Sequence, residues 1–344
     1  MPRRLRILTW HVHGAYLWYL SHIPHDLIVP VKPGRPEGYG GRSGTLRWPD
    51  NLYEVPAAQV ADLELDAVLF QSHRNWLVDQ HEILSPSQRR LPRLHLEHDP
   101  PRGSPTDTVH PVDDPEVLVV HVTPFNRLMW DCGPCPTAVV EHGVTVPAGV
   151  RWHGSRDRGV VVVNDLDRRG RRLGADVFER LATQVPLDLV GMGSERLGGR
   201  GEVPHGELPA LLASYRFLFN PIRWTSLGLS VCEAMLVGLP VVALATTEMS
   251  TVIRSGHNGY AETDEGALAA RMRHLIERPD AAARLGANAR RTARTRFGLG
   301  RFVADWDAVL TAHVGLRRIG RSELAETVPP GGADTPGLAG GPLG

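Results

Sequence analysis

The chain of 344 residues has a single lysine, Lys32, among its 38 basic side chains. Any anion site must therefore be built from guanidinium forks, backbone amides or helix ends, and chemistry that needs several lysines is excluded. Net charge is also lacking: 38 basic residues balance 38 acidic ones. Without a basic excess, general nucleic-acid binding is not expected. Three cysteines do not make a disulfide framework in a chain this long. No stretch approaches 18 uninterrupted apolar residues, so no membrane span is expected. The start, MPRRLRILTWHVHG, lacks the apolar run and cleavage site of a secretion signal. The expectation is a cytoplasmic protein, with peripheral contact at the inner face of a membrane left open.

What is present is a repeated alternation. Arg6–Trp10, Asp26–Val31, Asp66–Phe70, Arg93–Leu96, Val117–Val122 and Ala138–Val140 are short apolar runs. Helix-length spacers separate most of them, as in parallel βαβ units, and Ala15–Ile23 reads as a helix. Lys32–Asp50 reads as a Pro/Gly-rich loop, and the polar stretch Pro147–Gly159 as a hinge. The pattern then restarts with strands at Val160–Val163, Leu187–Val190, Phe217–Phe219 and Pro240–Leu244. Helices are expected at Asp176–Gln184, Leu208–Ser214, Ser230–Val237, Glu265–Glu277, Arg278–Arg296 and Phe302–Val314. This divides the chain into α/β domains at 1–150 and 151–318, with a cleft between them, and a Gly/Pro-rich tail at 319–344 expected to be disordered.

The strongest chemical signal lies in the second half. A strand ends at Phe219, a loop containing Gly228 follows, and a helix is expected to start at Ser230. Ser230 has N-cap chemistry, and Glu233 stands three residues on, at a capping-box position. Two readings stay open for Glu233. It caps the helix, or it faces the crevice, where the helix start suits a phosphate and the carboxylate accepts hydrogen bonds from ribose hydroxyls.

The segment Ser226-Leu227-Gly228-Leu229, Glu233-Ala234-Met235, Gly238 and Pro240–Ala243 resembles the donor-binding signature of the family-4, or group 1, glycosyltransferases. Their usual pattern is E-G-F-G-L-x-x-x-E-A-M-A-x-G-x-P-V-V-A. The similarity extends from the turn Gly191-Met192-Gly193 to the stretch Ile253–Tyr260 and the tail through Arg296-Phe297, covering roughly residues 160–310. It implies a GT-B fold of two Rossmann-like α/β domains whose parallel sheets face a cleft. It also implies an enzyme of glycan biosynthesis that moves a sugar from a nucleotide-sugar donor to a hydroxyl acceptor, whether glycan, lipid-linked or small molecule. The reaction should retain configuration and use neither metal nor cofactor. On this resemblance Glu233 holds the ribose, and Gly228, Leu229 and Ser230 lie by the diphosphate or sugar. Gly14, Gly191 and Gly193 form turns at the donor, and the terminal helix crosses back onto the first half. The family's first glutamate, eight residues before Glu233, is replaced by Thr225, and the second acid of its GG-x-x-E segment by Thr251. The paired Arg and Lys of the diphosphate grip fall in Asn164–Asp176. Arg168 takes the Arg position, and Leu173 the Lys position beside Arg172. A solvated basic loop is the other reading of this stretch. His98, at the end of the fourth strand, matches the histidine at the donor sugar, with His73 a lesser candidate and His13 or Tyr16 near the ligand. Glu141–Val144 matches a structural turn at the domain boundary.

Two other classes remain open. A nucleotide-sugar-binding or partner-binding module without turnover is motivated by Thr225 and the missing lysine. A metal-dependent hydrolase is motivated by His11-x-His13, which shares one strand face. The Cys132-Gly133-Pro134-Cys135 motif of thioredoxins lacks the helix start that a redox dithiol needs, since Pro136 and a strand-like run follow. Gly191-x-Gly193-x-x-Arg196 lacks the third glycine of a dinucleotide fingerprint.

Overall fold

Strands that are apolar on both faces need cover on both sides, and helices supply it. In the computed structural model, which describes residues 3–12, 14–42 and 46–326, the strands pair into two wholly parallel sheets. The first contains β1 (Arg6–Thr9), β2 (Asp26–Val31), β3 (Leu52–Pro56), β4 (Ala67–Phe70), β5 (Arg93–Glu97), β6 (Val117–His121) and β7 (Thr137–Val139). Their spatial order is β3-β2-β1-β4-β5-β6-β7. The second contains β8 (Arg156–Val162), β9 (Leu187–Val190), β10 (Tyr215–Asn220), β11 (Val241–Leu244) and β12 (Gly259–Glu262), ordered β12-β11-β10-β8-β9. In each sheet the order reverses beside its first strand, between β1 and β4 in one lobe and between β8 and β10 in the other. Loops leaving those strand ends diverge and open a crevice, the usual ligand site of such sheets.

The first lobe carries α1 (Gly14–Leu20), α2 (Gln80–Ile83) and α3 (Pro124–Met129). The second carries α4 (Leu166–Leu173), α5 (Ala175–Ala182), α6 (Leu208–Ala213), α7 (Leu229–Val237), α8 (Met249–Val252), α9 (Glu265–Glu277), α10 (Pro279–Arg296) and α11 (Leu299–Glu326). Local chemistry sets several starts. Thr123 accepts a hydrogen bond from the Asn126 amide at 3.0 Å ahead of Pro124, and Asp264 accepts one from the Ala267 amide at 2.7 Å.

Some elements depart from expectation. β3 and β12 form at the two sheet edges, outside the strands read from the sequence. β12 opens on Gly259, where a Cβ would stand 2.2 Å from the Val241 carbonyl oxygen, so only glycine lets this edge approach. The basic stretch after β8 is the helix α4, not a loop, kinked at Gly170 with φ +56° and ψ −139°. The hinge shortens, because β8 already begins at Arg156. The last helix continues to Glu326, so its end falls within the 319–344 segment expected to be disordered; residues 327–344 lie outside the described residues.

The long helix α11 returns to the first lobe. Phe302, Trp306, Leu310 and Val314 recur every four residues and are buried, placing them along one stripe. Trp306 Nε1 donates to the Tyr16 hydroxyl at 3.2 Å, and His313 Nε2 lies 3.0 Å from the Arg93 carbonyl oxygen. Gly143 is needed here: a Cβ would stand 2.1 Å from Phe302 Cβ. The turn 141–144 serves the lobe boundary as expected, with the Val144 amide donating to the Phe297 carbonyl at 2.9 Å. Truncating Trp306 to alanine should cost about 3–5 kcal/mol, the usual range for a buried tryptophan. Denaturant unfolding checks this, and a variant as stable as the parent would show that the helix does not clamp the lobes.

Candidate functional site

A cleft of about 640 Å³ opens between the lobes at the two switch points. From the first lobe it is lined by His11, Gly14 and Trp48, and from the second by Asn164, Gly191, His205, Ser230 and Glu233 among others. Five residues expected at the donor therefore meet here: Gly14, Gly191, Leu229, Ser230 and Glu233.

Glu233 does not cap its helix. The N-cap of α7 is Gly228, with no capping side chain, and Ser230 is the second helical residue rather than the cap. The Glu233 carboxylate, only 2% exposed, instead accepts from the Tyr19 hydroxyl at 2.7 Å and lies 2.9 Å from His205 Nε2. Burial and the neighbouring carboxylate push the Tyr19 phenol well above its ordinary pKa, so it stays protonated and donates. The bond ties α1 of one lobe to α7 of the other. Because Gly228 brings no capping side chain, the first amides of α7, at Leu229 and Ser230, remain available where the helix dipole favours an anion.

The glycines of the β9 turn are there for close packing. Gly191 has φ +140°, and a Cβ would stand 2.4 Å from the Val163 carbonyl oxygen. Gly193 has φ +69°, with a Cβ position 2.9 Å from Asp165 Oδ1; it is not among the cleft-lining residues.

The arginines divide differently from the sequence reading. Arg168 is exposed and points to Asp165, at 2.7 Å. Arg169 and Arg172 are half-buried, and neither guanidinium has a hydrogen-bond or ion-pair partner among the described residues. Burial lowers the pKa of Arg169 from its ordinary value, the Arg172 charge lowers it further, and Asp99 across the lobe boundary opposes both. A guanidinium stays charged in protein, so this pair holds a like-charge repulsion that an anion would relieve. Leu173, at the expected lysine position, is a core residue. The kink at Gly170 separates Arg169 from Arg172, a feature that residue spacing alone does not reveal.

Thr225 and His98 lie beyond the lined cleft, Thr225 at the lobe boundary and His98 within the first lobe. The Thr225 hydroxyl donates to Asp99 Oδ1 at 3.3 Å. Trp224 Nε1 donates to the Pro101 carbonyl at 2.8 Å, and the Phe125 amide to Glu248 Oε2 at 3.1 Å. Asp99 was missed from the sequence. Its backbone is fixed on both sides, because its amide donates to Glu97 at 2.9 Å and its carbonyl accepts from Trp130 at 2.7 Å. His98 Nε2 lies 3.0 Å from Gln71 Oε1, and its ring stands edge-on to Tyr16 with centroids 4.7 Å apart. Glu248 is fully buried and binds Arg296 at 2.8 Å, a structural role.

The other motifs resolve plainly. His11 Nδ1 contacts the Gly41 carbonyl at 2.5 Å, and Nε2 lies 3.3 Å from that of Gly14. His11 therefore organises loops and joins no ligating cluster among the described residues, while His13 lies outside them. Cys132 and Cys135 are both buried, and burial pushes the Cys132 thiol up to about 12, opposite to a redox dithiol.

Residues 161–278, about a third of the chain, match the family described as "Glycosyl transferases group 1". A protein of the cps region of Klebsiella pneumoniae is 34% identical over 92 residues, which is 27% of this chain and 23% of that one. A GDP-mannose-dependent phosphatidylinositol dimannoside mannosyltransferase of Mycobacterium tuberculosis is 28% identical over 103 residues, 30% and 25% of the two chains. The chain thus spans about a quarter of the length of these relatives. Among solved structures, sucrose-phosphate synthase of Thermosynechococcus elongatus superposes with a TM-score of 0.65 at 15% identity, covering 94% of this chain and 100% of that one. A glycosyltransferase of avilamycin A biosynthesis gives 0.62 at 15% identity, covering 90% and 98%. The Anabaena HepE protein with UDP-glucose also gives 0.62 at 15% identity, covering 90% and 100%. The fold is GT-B, and the resemblance read from the second half is upheld there. Replacing Tyr19 by phenylalanine removes a donor from the buried Glu233 carboxylate and should cost about 1–3 kcal/mol of stability. Thermal and denaturant unfolding would measure it beside Tyr53→Phe, at a tyrosine 47% exposed, which should be neutral.

Proposed function

We propose that this protein is a glycosyltransferase. It moves a sugar from a nucleotide-diphosphate-sugar donor to a hydroxyl acceptor, with retention of configuration and without a metal ion in the transfer step. The observation that carries the reading is the guanidinium pair Arg169 and Arg172, without partners among the described residues, at the β8 end of the switch point. The same lobe supplies the cleft carboxylate Glu233. The arginines would hold the donor diphosphate and offset the charge that grows on it as the sugar leaves. The free amides of α7 would complete that grip, and Glu233 would hold the ribose hydroxyls, sharing its oxygens with Tyr19 and His205.

Asp99 fits the place left by the family's missing glutamate. It stands at Thr225 across the lobe boundary, so a carboxylate from the first lobe would face the sugar hydroxyls where relatives use one from the second. His98, one residue before it, would border the sugar from the same loop. Contacts between the lobes would exclude water and limit donor hydrolysis. The acceptor is a hydroxyl of a glycan, a lipid-linked sugar or a small molecule. No helix among the described residues is long and apolar enough to cross a membrane, and the expected location remains cytoplasmic with peripheral membrane contact open. A second reading, nucleotide-sugar binding without turnover, draws on the partners that Glu233 already has.

Calorimetry with UDP and GDP should show binding that falls by about 1–3 kcal/mol in Glu233→Ala and in Arg169→Ala or Arg172→Ala, while Arg168→Ala binds like the parent. Unchanged affinity in folded Arg169 and Arg172 variants would remove the phosphate assignment. For Asp99→Asn, nucleotide affinity should hold while transfer measured by donor turnover falls at least tenfold. Binding with no turnover by the parent, across donors and acceptors, would favour the second reading.

A further inference from the structure

Behind the Asp99 loop lies a cluster that the transfer chemistry does not use. β5 alternates its side chains, so His95 and Glu97 share one face of the sheet. His73 joins them from the first helical turn after β4, and His110 from the loop before β6. One ring nitrogen from each of the three histidines lies within 4.8 Å of the others. Glu97 Oε2 stands 2.8 Å from His73 Nε2 and 3.1 Å from His110 Nε2. His95 is fully buried, yet neither of its ring nitrogens makes a well-formed hydrogen bond; only the Ser72 backbone approaches weakly. A buried polar group without a partner is costly, so this lone pair asks for an occupant.

The four groups are not equivalent. The Val112 amide donates to His110 Nδ1 at 3.1 Å, which puts the His110 proton on Nε2 and makes that nitrogen a donor to Glu97. His110 therefore orients the carboxylate and does not ligate. His73 is 41% exposed at the side chain, so its proton can move to Nδ1 and free Nε2. We infer that His73, His95 and Glu97 form a binding site for a divalent transition-metal ion, with His110 as the hydrogen-bonding support of Glu97 and water in the position toward solvent. Two imidazoles and one carboxylate suit zinc and its first-row neighbours rather than calcium or magnesium. Ligand atoms around a tetrahedral zinc lie about 3.4 Å apart; His73 Nε2 and Glu97 Oε2 already stand 2.8 Å apart, and the unbonded His95 ring, within 4.8 Å of His73, would turn to complete the set. The ion would be structural. Glu97 also receives the Asp99 amide, so the metal would stiffen the loop that carries His98 and Asp99 to the lobe boundary. The inference does not depend on the transfer reaction.

The test uses the full chain without a histidine tag, loaded with zinc and dialysed into metal-free buffer. Elemental analysis should find about one zinc per chain in the parent and in His11→Ala, and less than a tenth of that in His95→Ala and His73→Ala. Cobalt(II) substitution should give the intense visible bands of a low-coordinate site in the parent only. Zinc should raise the unfolding temperature of the parent and leave His73→Ala unmoved. The half-exposed His73 keeps the test sound should the buried His95 variant fail to fold. A parent that retains no zinc overturns the inference, and so does a folded His73→Ala that retains a full equivalent.

Discussion

Two strand-order reversals, one in each sheet, can serve a single ligand only if they face one another. The return of α11 to the first lobe imposes that constraint. Its Trp306 meets Tyr16 on α1, the same helix whose Tyr19 meets Glu233. One short helix of the first lobe thus touches both the terminal clamp and the cleft carboxylate. The apolar core runs without a break from β1 and α1 through α7 and α11, so the lobes share a core as well as a crevice.

The near absence of lysine shows its consequence at the β8 switch point. Elsewhere in the second lobe most arginines are neutralised locally, as Arg223 is by Asp176 and Arg180 by Glu265. Arg169 and Arg172, both half-buried, have no such partner among the described residues, and the charge of Arg172 bears on Arg169. A flexible ammonium could swing away from such a site. A planar guanidinium offers its donors in a fixed fork.

Much of this was legible in the sequence because parallel strands buried on both faces announce themselves. β2, β9 and α9 fall at their expected bounds, and β1, β5, β10 and α7 within a residue or two. β3 and β12 were not, since an edge strand packs on one side only and its sequence carries less apolar signal. α4 was hidden for another reason: between Leu166 and Leu173 it is all charge and glycine, with no apolar stripe to give a period. At the cleft, Gly14 and Gly191 were readable as strand-to-helix turns, and Leu229, Ser230 and Glu233 from the family signature at the start of α7. Asp99 and Tyr19 were not, because their importance comes from residues more than a hundred positions away. The choice of Arg169 over Arg168 rests on Asp165, which holds the exposed Arg168 and leaves the half-buried Arg169 without such a partner, and no spacing rule encodes that.

The path of α11 also bears on how such a protein can be recombined. Although this helix belongs to the second half of the chain, its apolar stripe is completed by the first. A chimera joined near residue 150 would pair one parent's α1 with another parent's Trp306, leaving a mismatched seam. A graft that exchanges residues 3–145 together with the helix from Leu299 onward, and keeps 146–298 intact, follows the boundary that the packing itself draws.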